Sequence, residues 1–275
     1  MDRNNSTSLV IKDFQGVKIH TFVSPYAYAA NATHIIETAN ELVIVDTQFI
    51  TPLALGFRAY VNSLNKPVNR VFISHGHPDH YFGLASAFSD CKAYSLSGIN
   101  EVIAGWGPQM IINQKPAFGA LIPDAVVVPQ YSVAPGTSEV IDGLTYEYEV
   151  IEGAESEAQL LLKLPELGTI IAQDLIYSGV HIWLGMGWFE KWAAELQQLA
   201  ATEGYDYLLA GHGMPCTKEE IHHNIQYIQT AQQLFEDGLE KDAYKARLIE
   251  AYPHRESPMM FDLYLGFLFG EMGSH

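Results

Sequence analysis

The sequence predicts a mixed α/β fold, with antiparallel strand pairs set among alternating β and α units. Three observations carry this. Short apolar runs bounded by turn residues dominate residues 9 to 175. Two connections among them carry hairpin chemistry. Beyond residue 187 the apolar spacing becomes mainly helical.

Taken in order, "VKIHTFV" (17–23), "LVIVD" (42–46), "NRVFIS" (69–74), "KAYSL" (92–96) and "DAVVV" (124–128) have the composition of strands. "TPLALGFRAYVNSLN" (51–65) has helical spacing, with Thr51 as N-cap and Pro52 at the first helical position. Asp142-Gly143 stands between alternating segments in "SEVIDGLTYEYEV", a strong short-range hairpin signal. Pro165 to Gly168 separates two buried-looking runs and marks a second turn. Residues 187–203 read as a helix, 205–210 as a strand, and 217–270 as two or three helices. No repeat or Pro/Gly/Ser-rich linker interrupts the chain. The expected organisation is a domain over 1–216, a helical extension over 217–272 packed on it, and a possible tag scar, "GSH", at 273–275.

Composition narrows the partners. A chain of 275 residues, 48% hydrophobic and 17% charged, can bury a large core. Its 15 basic and 32 acidic residues give a net charge of −17, which disfavours nucleic acid and anionic membrane faces. No basic segment followed by an apolar one opens the chain, and no apolar run approaches the ~18 residues of a membrane span. Cys91 and Cys216 have no CxxC spacing, so a disulfide framework is not expected and a reducing cytoplasm fits. The expected partner is a small-molecule substrate.

"VFISHGHPDHYFGL" is the sharpest signal. His75, His77, Asp79 and His80 fall within six residues, directly after the strand at 69–74. Packing does not explain four metal-ligand types on one strand-to-helix turn, and a metal pair needs imidazole and carboxylate so placed. His75 and His77 can point one way from extended chain, while Asp79 and His80, past Pro78, point to a neighbouring position.

His-x-His-x-Asp-His after an apolar strand resembles the signature of the metallo-β-lactamase-fold hydrolases. Asp46, ending "ELVIVDT", resembles that superfamily's aspartate that braces the ligand loop. Asp174 in "TIIAQD" resembles the carboxylate that bridges two metals, and His212 in "YLLAGHGMP" the last ligand histidine. The resemblance spans residues 17 to 215 and implies an αββα sandwich with the metals at one edge between the sheets. One position departs from the usual pattern. Where most members place a third histidine, this chain has "GAESEAQ", similar to the glutamate-bearing segment of the alkylsulfatase branch. The resemblance therefore assigns the ligand role to Glu155, with Glu157 as runner-up and Glu152 solvated.

On this resemblance, one metal takes His75, His77 and Glu155, the other Asp79, His80 and His212, and Asp174 bridges them. Two divalent ions are implied, zinc first, then manganese or iron(II), with a bridging hydroxide as nucleophile. No Gly-x-Ser-x-Gly elbow competes for that role. Asp79 is a candidate to orient the hydroxide or accept a proton. Tyr177, in the Asp-x-x-Tyr spacing of the superfamily's lactonases, is either a group that polarises a substrate carbonyl or a core tyrosine. His181 resembles a pocket histidine of the sulfatase branch. Trp106 and Phe118, in a stretch read as irregular, and Trp183 and Trp188 with Met186 are candidates to line an apolar pocket. Trp192 reads equally well as core. The apolar "SPMMFDLYLGFLFG" caps the core, covers the site, or joins a second copy of the chain in a homodimer. The expected activity is hydrolysis of a small, largely apolar carboxylic ester or lactone. The alternatives are sulfate- or phosphate-ester hydrolysis and mononuclear iron thiol dioxygenation.

Overall fold

The computed structural model describes residues 3 to 271. The "GSH" end and position 272 lie outside the described residues. The first sheet begins with β1 (Ser8–Phe14), β2 (Val17–Val23), β3 (Ala32–Glu37) and β4 (Leu42–Val45), each antiparallel to the last. Helix α1 (Thr51–Ser63) crosses to β5 (Val68–Phe72), α2 (Pro78–Ala87) to β6 (Ala93–Ser95), and α3 (Ser97–Phe118) leads to β7 (Tyr131–Ser132). These strands continue the sheet in parallel, as helical crossovers require. The second sheet has the order β12-β11-β10-β9-β8. It contains β8 (Thr137–Ile141), β9 (Leu144–Glu152), β10 (Ala158–Leu164), β11 (Thr169–Ser178) and, after α4 (Phe189–Ala201), β12 (Tyr207–Gly213).

The side-chain periods explain the layers. All four residues of β4, "LVIV", are buried, the pattern of a strand covered on both faces. In β10, Leu160, Leu162 and Leu164 join the core that also holds Val43, Phe72 and Phe57, while Leu161 joins the core under α4. The order is helices, sheet, sheet, helices: an αββα sandwich. Three further helices, α5 (Lys218–Glu236), α6 (Lys241–Ala251) and α7 (Met260–Leu268), follow β12. Their Ile228, Leu248 and Phe261 share the second core with Trp192 and Leu208. No described helix is long and apolar enough to cross a membrane.

Both hairpin turns form where the sequence places them. Asp142 and Gly143 have φ of 45° and 82°, the backbone such a turn requires. The Asp142 carboxylate also accepts bonds from Thr38 Oγ1 at 2.7 Å and Asn40 N at 2.8 Å, pinning this turn to the first sheet.

Three local readings are corrected. Residues 124–128 form no strand, because no strand neighbours them; Val126 instead packs against Gly107 of α3. The stretch around Trp106 and Phe118 is not irregular but the 22-residue helix α3. Pro108 and Pro116 mask its period, yet Ile99, Ile103, Gly107 and Ile111 keep one buried face at every fourth position. Thr51 is the first residue of α1 rather than its N-cap, and its hydroxyl bonds Ser86 Oγ instead. Strands β1 and β3 flank β2 in addition to the expected strands; β1 is largely exposed, so its apolar pattern is weak.

Candidate metal centre

Asp46 organises the first ligand loop. It follows β4 with φ of 62°, a costly conformation for aspartate, and is fully buried. Its Oδ1 accepts Ser74 N at 2.8 Å; its Oδ2 accepts Ser74 Oγ and His80 Nδ1, each at 2.7 Å, and Gln173 Nε2. A carboxylate can only accept, so the Ser74 proton points to Asp46. The Ser74 oxygen must then accept from His75 Nδ1, 2.9 Å away. His80 Nδ1 likewise donates to Asp46, and His212 Nδ1 donates to the carbonyl of Ala29 at 2.8 Å. In all three histidines the Nδ1 proton is committed. Each Nε2 therefore faces the site, as a metal ligand must.

The loop comes from the carboxyl end of β5, where α/β sheets place their sites. Three residues answer it from the second sheet. Glu155 lies in the turn between β9 and β10, closed by Gly153 N donating to Glu157 O at 3.0 Å. Leu160 N donates to Ser74 O at 2.7 Å, which holds this turn against the histidine loop. Asp174 sits within β11 at a bulge, where pairing with β12 slips between Gln173 and Tyr177; bulges re-aim side chains in this way. His212 lies near the end of β12. Gly211 before it is packed so closely that a Cβ would meet Asp174 Oδ1 at 1.8 Å.

Two groups of ligand-type atoms result. His75, His77, Glu155 and Asp174 converge within 4.8 Å, as do Asp79, His80 and His212. His77 Nδ1 is 2.8 Å from Glu155 Oε1, and His75 Nε2 is 3.5 Å from Glu155 Oε2. Asp174 reaches both groups: its oxygens are 3.9 Å from His75 Nε2 and 3.2 Å from the Nε2 atoms of His80 and His212. Glu155 is buried, whereas Glu157 and Glu152 are exposed. Among the described residues, His75 Nε2, His80 Nε2, both Glu155 oxygens and Asp174 Oδ1 are buried without a hydrogen-bond partner. Five such orphans in one place are costly unless a bound group satisfies them, and a pair of cations fits that need.

Electrostatics agree. Burial disfavours charge on His80 and His212, but Asp174 and Asp79 outweigh it; His80 is raised well above its ordinary value and His212 to about 10. Burial raises the Glu155 carboxyl despite His77 beside it. Burial and Asp174 together raise the Tyr177 hydroxyl far above its usual range, so it keeps its proton and donates to Asp174 Oδ2 at 2.7 Å. The Tyr177 ring also stacks on His212 at 4.8 Å.

Several supporting residues carry no motif. Gln173 links Asp46 to His34, whose Nε2 donates to Gln173 Oε1 at 2.8 Å, and Thr21 bonds the other ring nitrogen. Asn31 Nδ2 donates to Asp79 Oδ2 at 3.3 Å. Asn224 of α5 holds the backbone N–H and carbonyl of Tyr177, each at 2.9 Å. Gln173 stands beside Asp174 in the sequence, the one available hint; the others are long-range contacts. His34 makes a pH prediction. Burial lowers its pKa to about 4, while an unfolded histidine titrates near 6.5. The unfolded chain therefore binds more protons between those values, and stability falls by about 3 kcal/mol as pH drops through the window. Nitrogen shifts of the metal-free protein should show a neutral His34 ring at pH 5; a ring already charged at pH 6 would contradict this.

The site opens into a cavity of about 130 Å³. Asp79, Glu155, Asp174, Tyr177 and His212 form its floor, and Phe49, Met110, Phe118, Trp183, Met259, Leu263 and Phe267 are among its walls. Trp183 packs on His77 at 4.8 Å. α7 thus both caps the core and covers the site. The other sequence candidates stand elsewhere. His181 is buried between Tyr227 and Phe261, outside the cavity lining. Trp106 and Met186 line a neighbouring hollow, and Trp188 a third small one by α4. Trp192 is core, donating to Leu175 O at 3.0 Å.

Comparison with known proteins agrees with this geometry. Residues 28–149 match the family model described as the metallo-beta-lactamase superfamily. The chain has the metallo-beta-lactamase fold. Its fold is similar to that of a metallo-beta-lactamase from Pontibacter korlensis, at TM-score 0.63 and 17% identity over 81% of this chain and 99% of that one. The metallo-beta-lactamase IND-7 gives TM-score 0.63 and 16% identity over 81% and 98%. FIM-1 from Pseudomonas aeruginosa, in its mono-zinc form, gives 0.59 and 17% over 84% and 99%. Among curated proteins, the chain is 24% identical over 227 residues to the alkyl/aryl-sulfatase BDS1 of Saccharomyces cerevisiae, covering 66% of this chain. It spans about a third (34%) of that relative's length.

Proposed function

We propose that this metallo-beta-lactamase-fold chain is a dinuclear metal-dependent hydrolase of a small, largely apolar carboxylic ester or lactone. The observation that carries the reading is the pair of ligand groups converging beneath an apolar cavity. His75, His77 and Glu155 would hold one ion, Asp79, His80 and His212 the other, with Asp174 shared. Histidine with carboxylate suits zinc first, then manganese or iron(II). Two such ions, when bound, supply Lewis acidity and bring the pKa of water toward neutrality.

The chain's own residues do the rest. Asp46, Ser74 and the Ala29 carbonyl fix the histidine tautomers. Asp79 faces the cavity, is steadied by Asn31, and is placed to accept the proton of an attacking water. Tyr177 holds a proton next to the reacting space and can turn it toward a developing oxyanion. The walls of Phe118, Trp183, Leu263 and Phe267 exclude water and receive an apolar group. No lysine or arginine lines the cavity among the described residues, which favours an ester without an anionic group over a sulfate or phosphate.

Sulfate-ester hydrolysis is the second reading, supported by the sulfatase relative and by glutamate in the third slot. Mononuclear iron chemistry would leave the group of Asp79, His80 and His212 without purpose. The test is metal analysis of protein purified without added metal, followed by a chromogenic panel of esters, lactones, sulfates and phosphotriesters. Two zinc or manganese ions with ester or lactone turnover are expected. One iron per chain and no hydrolysis would sink the reading.

A further inference from the structure

Beside the cavity lies a second hollow of about 340 Å³. The two share His77 and Met110, so they meet at the edge of the metal centre. The ligand loop packs tightly on α3 here; a Cβ on Gly76 would meet Val102 Cγ1 at 2.8 Å. Apolar side chains of Ile99, Val102 and Met186 form most of the lining. Two residues stand out. Trp106 is 43% exposed, unusual for so large an apolar ring. Glu157 presents the hollow's one carboxylate, and no ion pair within 4.0 Å joins it to a cation among the described residues. Lys191 stacks over Gly153 in the same turn but does not line the hollow.

From this arrangement we infer that the hollow is a second substrate subsite that takes a cationic group, an amine or quaternary ammonium. The inference rests on the hydrolase reading and names its substrate class: an ester with an apolar arm and a cationic arm. The apolar arm enters the cavity under α7, the scissile bond lies over Asp79 and Asp174, and the cationic arm passes His77 into the hollow. An aromatic face and a carboxylate at one apolar wall are what an alkylammonium needs. The net charge of −17 draws cations toward the surface.

Two isosteric pairs test this. For choline butyrate against 3,3-dimethylbutyl butyrate, the wild type should show kcat/KM about five- to tenfold higher for the cation. Glu157→Gln should bring that ratio close to one, and Lys191→Gln should preserve it. A ratio of one in the wild type, or one that Glu157→Gln leaves unchanged, overturns the subsite. If neither ester turns over, the ester reading fails, and equilibrium binding still decides the subsite. Calorimetry should then show choline binding more tightly than 3,3-dimethylbutan-1-ol to the wild type but not to Glu157→Gln; equal binding to the wild type overturns it.

Discussion

On the dinuclear reading, Glu155→Ala is expected to leave about one bound metal where two are expected in the wild type. The residue is buried, and both its oxygens face His75 and His77 with no other partner. Changes to groups that merely support a ligand already cost 10–100-fold in metal affinity, so losing the ligand should cost at least about 100-fold. Turnover should fall roughly 10²–10³-fold, the scale seen when one stabilising group is lost from a reacting centre. Glu157→Ala should keep both ions, because that side chain lies outside the cluster. Inductively coupled plasma analysis of both variants, with turnover measured alongside, makes the comparison. Full metal content and full activity in Glu155→Ala would remove the residue from the site.

The second large effect comes from a residue with no side chain. Gly211→Ala puts a methyl group 1.8 Å from Asp174 Oδ1 and 2.9 Å from the Gln173 carbonyl carbon. Neither neighbour can yield alone, since Gln173 is tied to Asp46 and Asp174 to Tyr177. Either β11 and β12 separate or the shared carboxylate swings out. Overpacking of this kind costs about 1–3 kcal/mol, so thermal unfolding should shift down and both ions should be lost together. Wild-type metal content with an unchanged melting temperature would show that the bulge relaxes freely.

These two residues also mark what the sequence could reveal. Ligands clustered on one loop, such as His75 to His80, declare themselves by spacing. Asp46, Asp174 and His212 are scattered, but each follows a short apolar run, and the resemblance supplies their order. Glu155 was legible only as a departure from that order, and its burial beside exposed Glu157 comes from the fold. Gly211, Gln173 and Asn31 were not legible. Their role lies in close approach and hydrogen bonds across long separations, which leave no local pattern. Helix α3 was missed for a different reason: its prolines and glycines contradict helical propensity, and packing of Ile99, Ile103 and Ile111 overrides it. The cavity walls followed the same rule, since Phe49, Leu263 and Phe267 are ordinary apolar residues until the chain folds.

The ligand-type residues are divided between the sheets. His75, His77, Asp79 and His80 hang from the first, and Glu155, Asp174 and His212 from the second. On the dinuclear reading, each ion spans the seam of the sandwich and rivets one half to the other. Its binding free energy is then also folding free energy, adding RT ln(1 + [metal]/Kd) to the native state. The same ions that equip the site for chemistry would hold closed the joint on which the site is built, so an organism short of metal would lose the scaffold's firmness along with its activity.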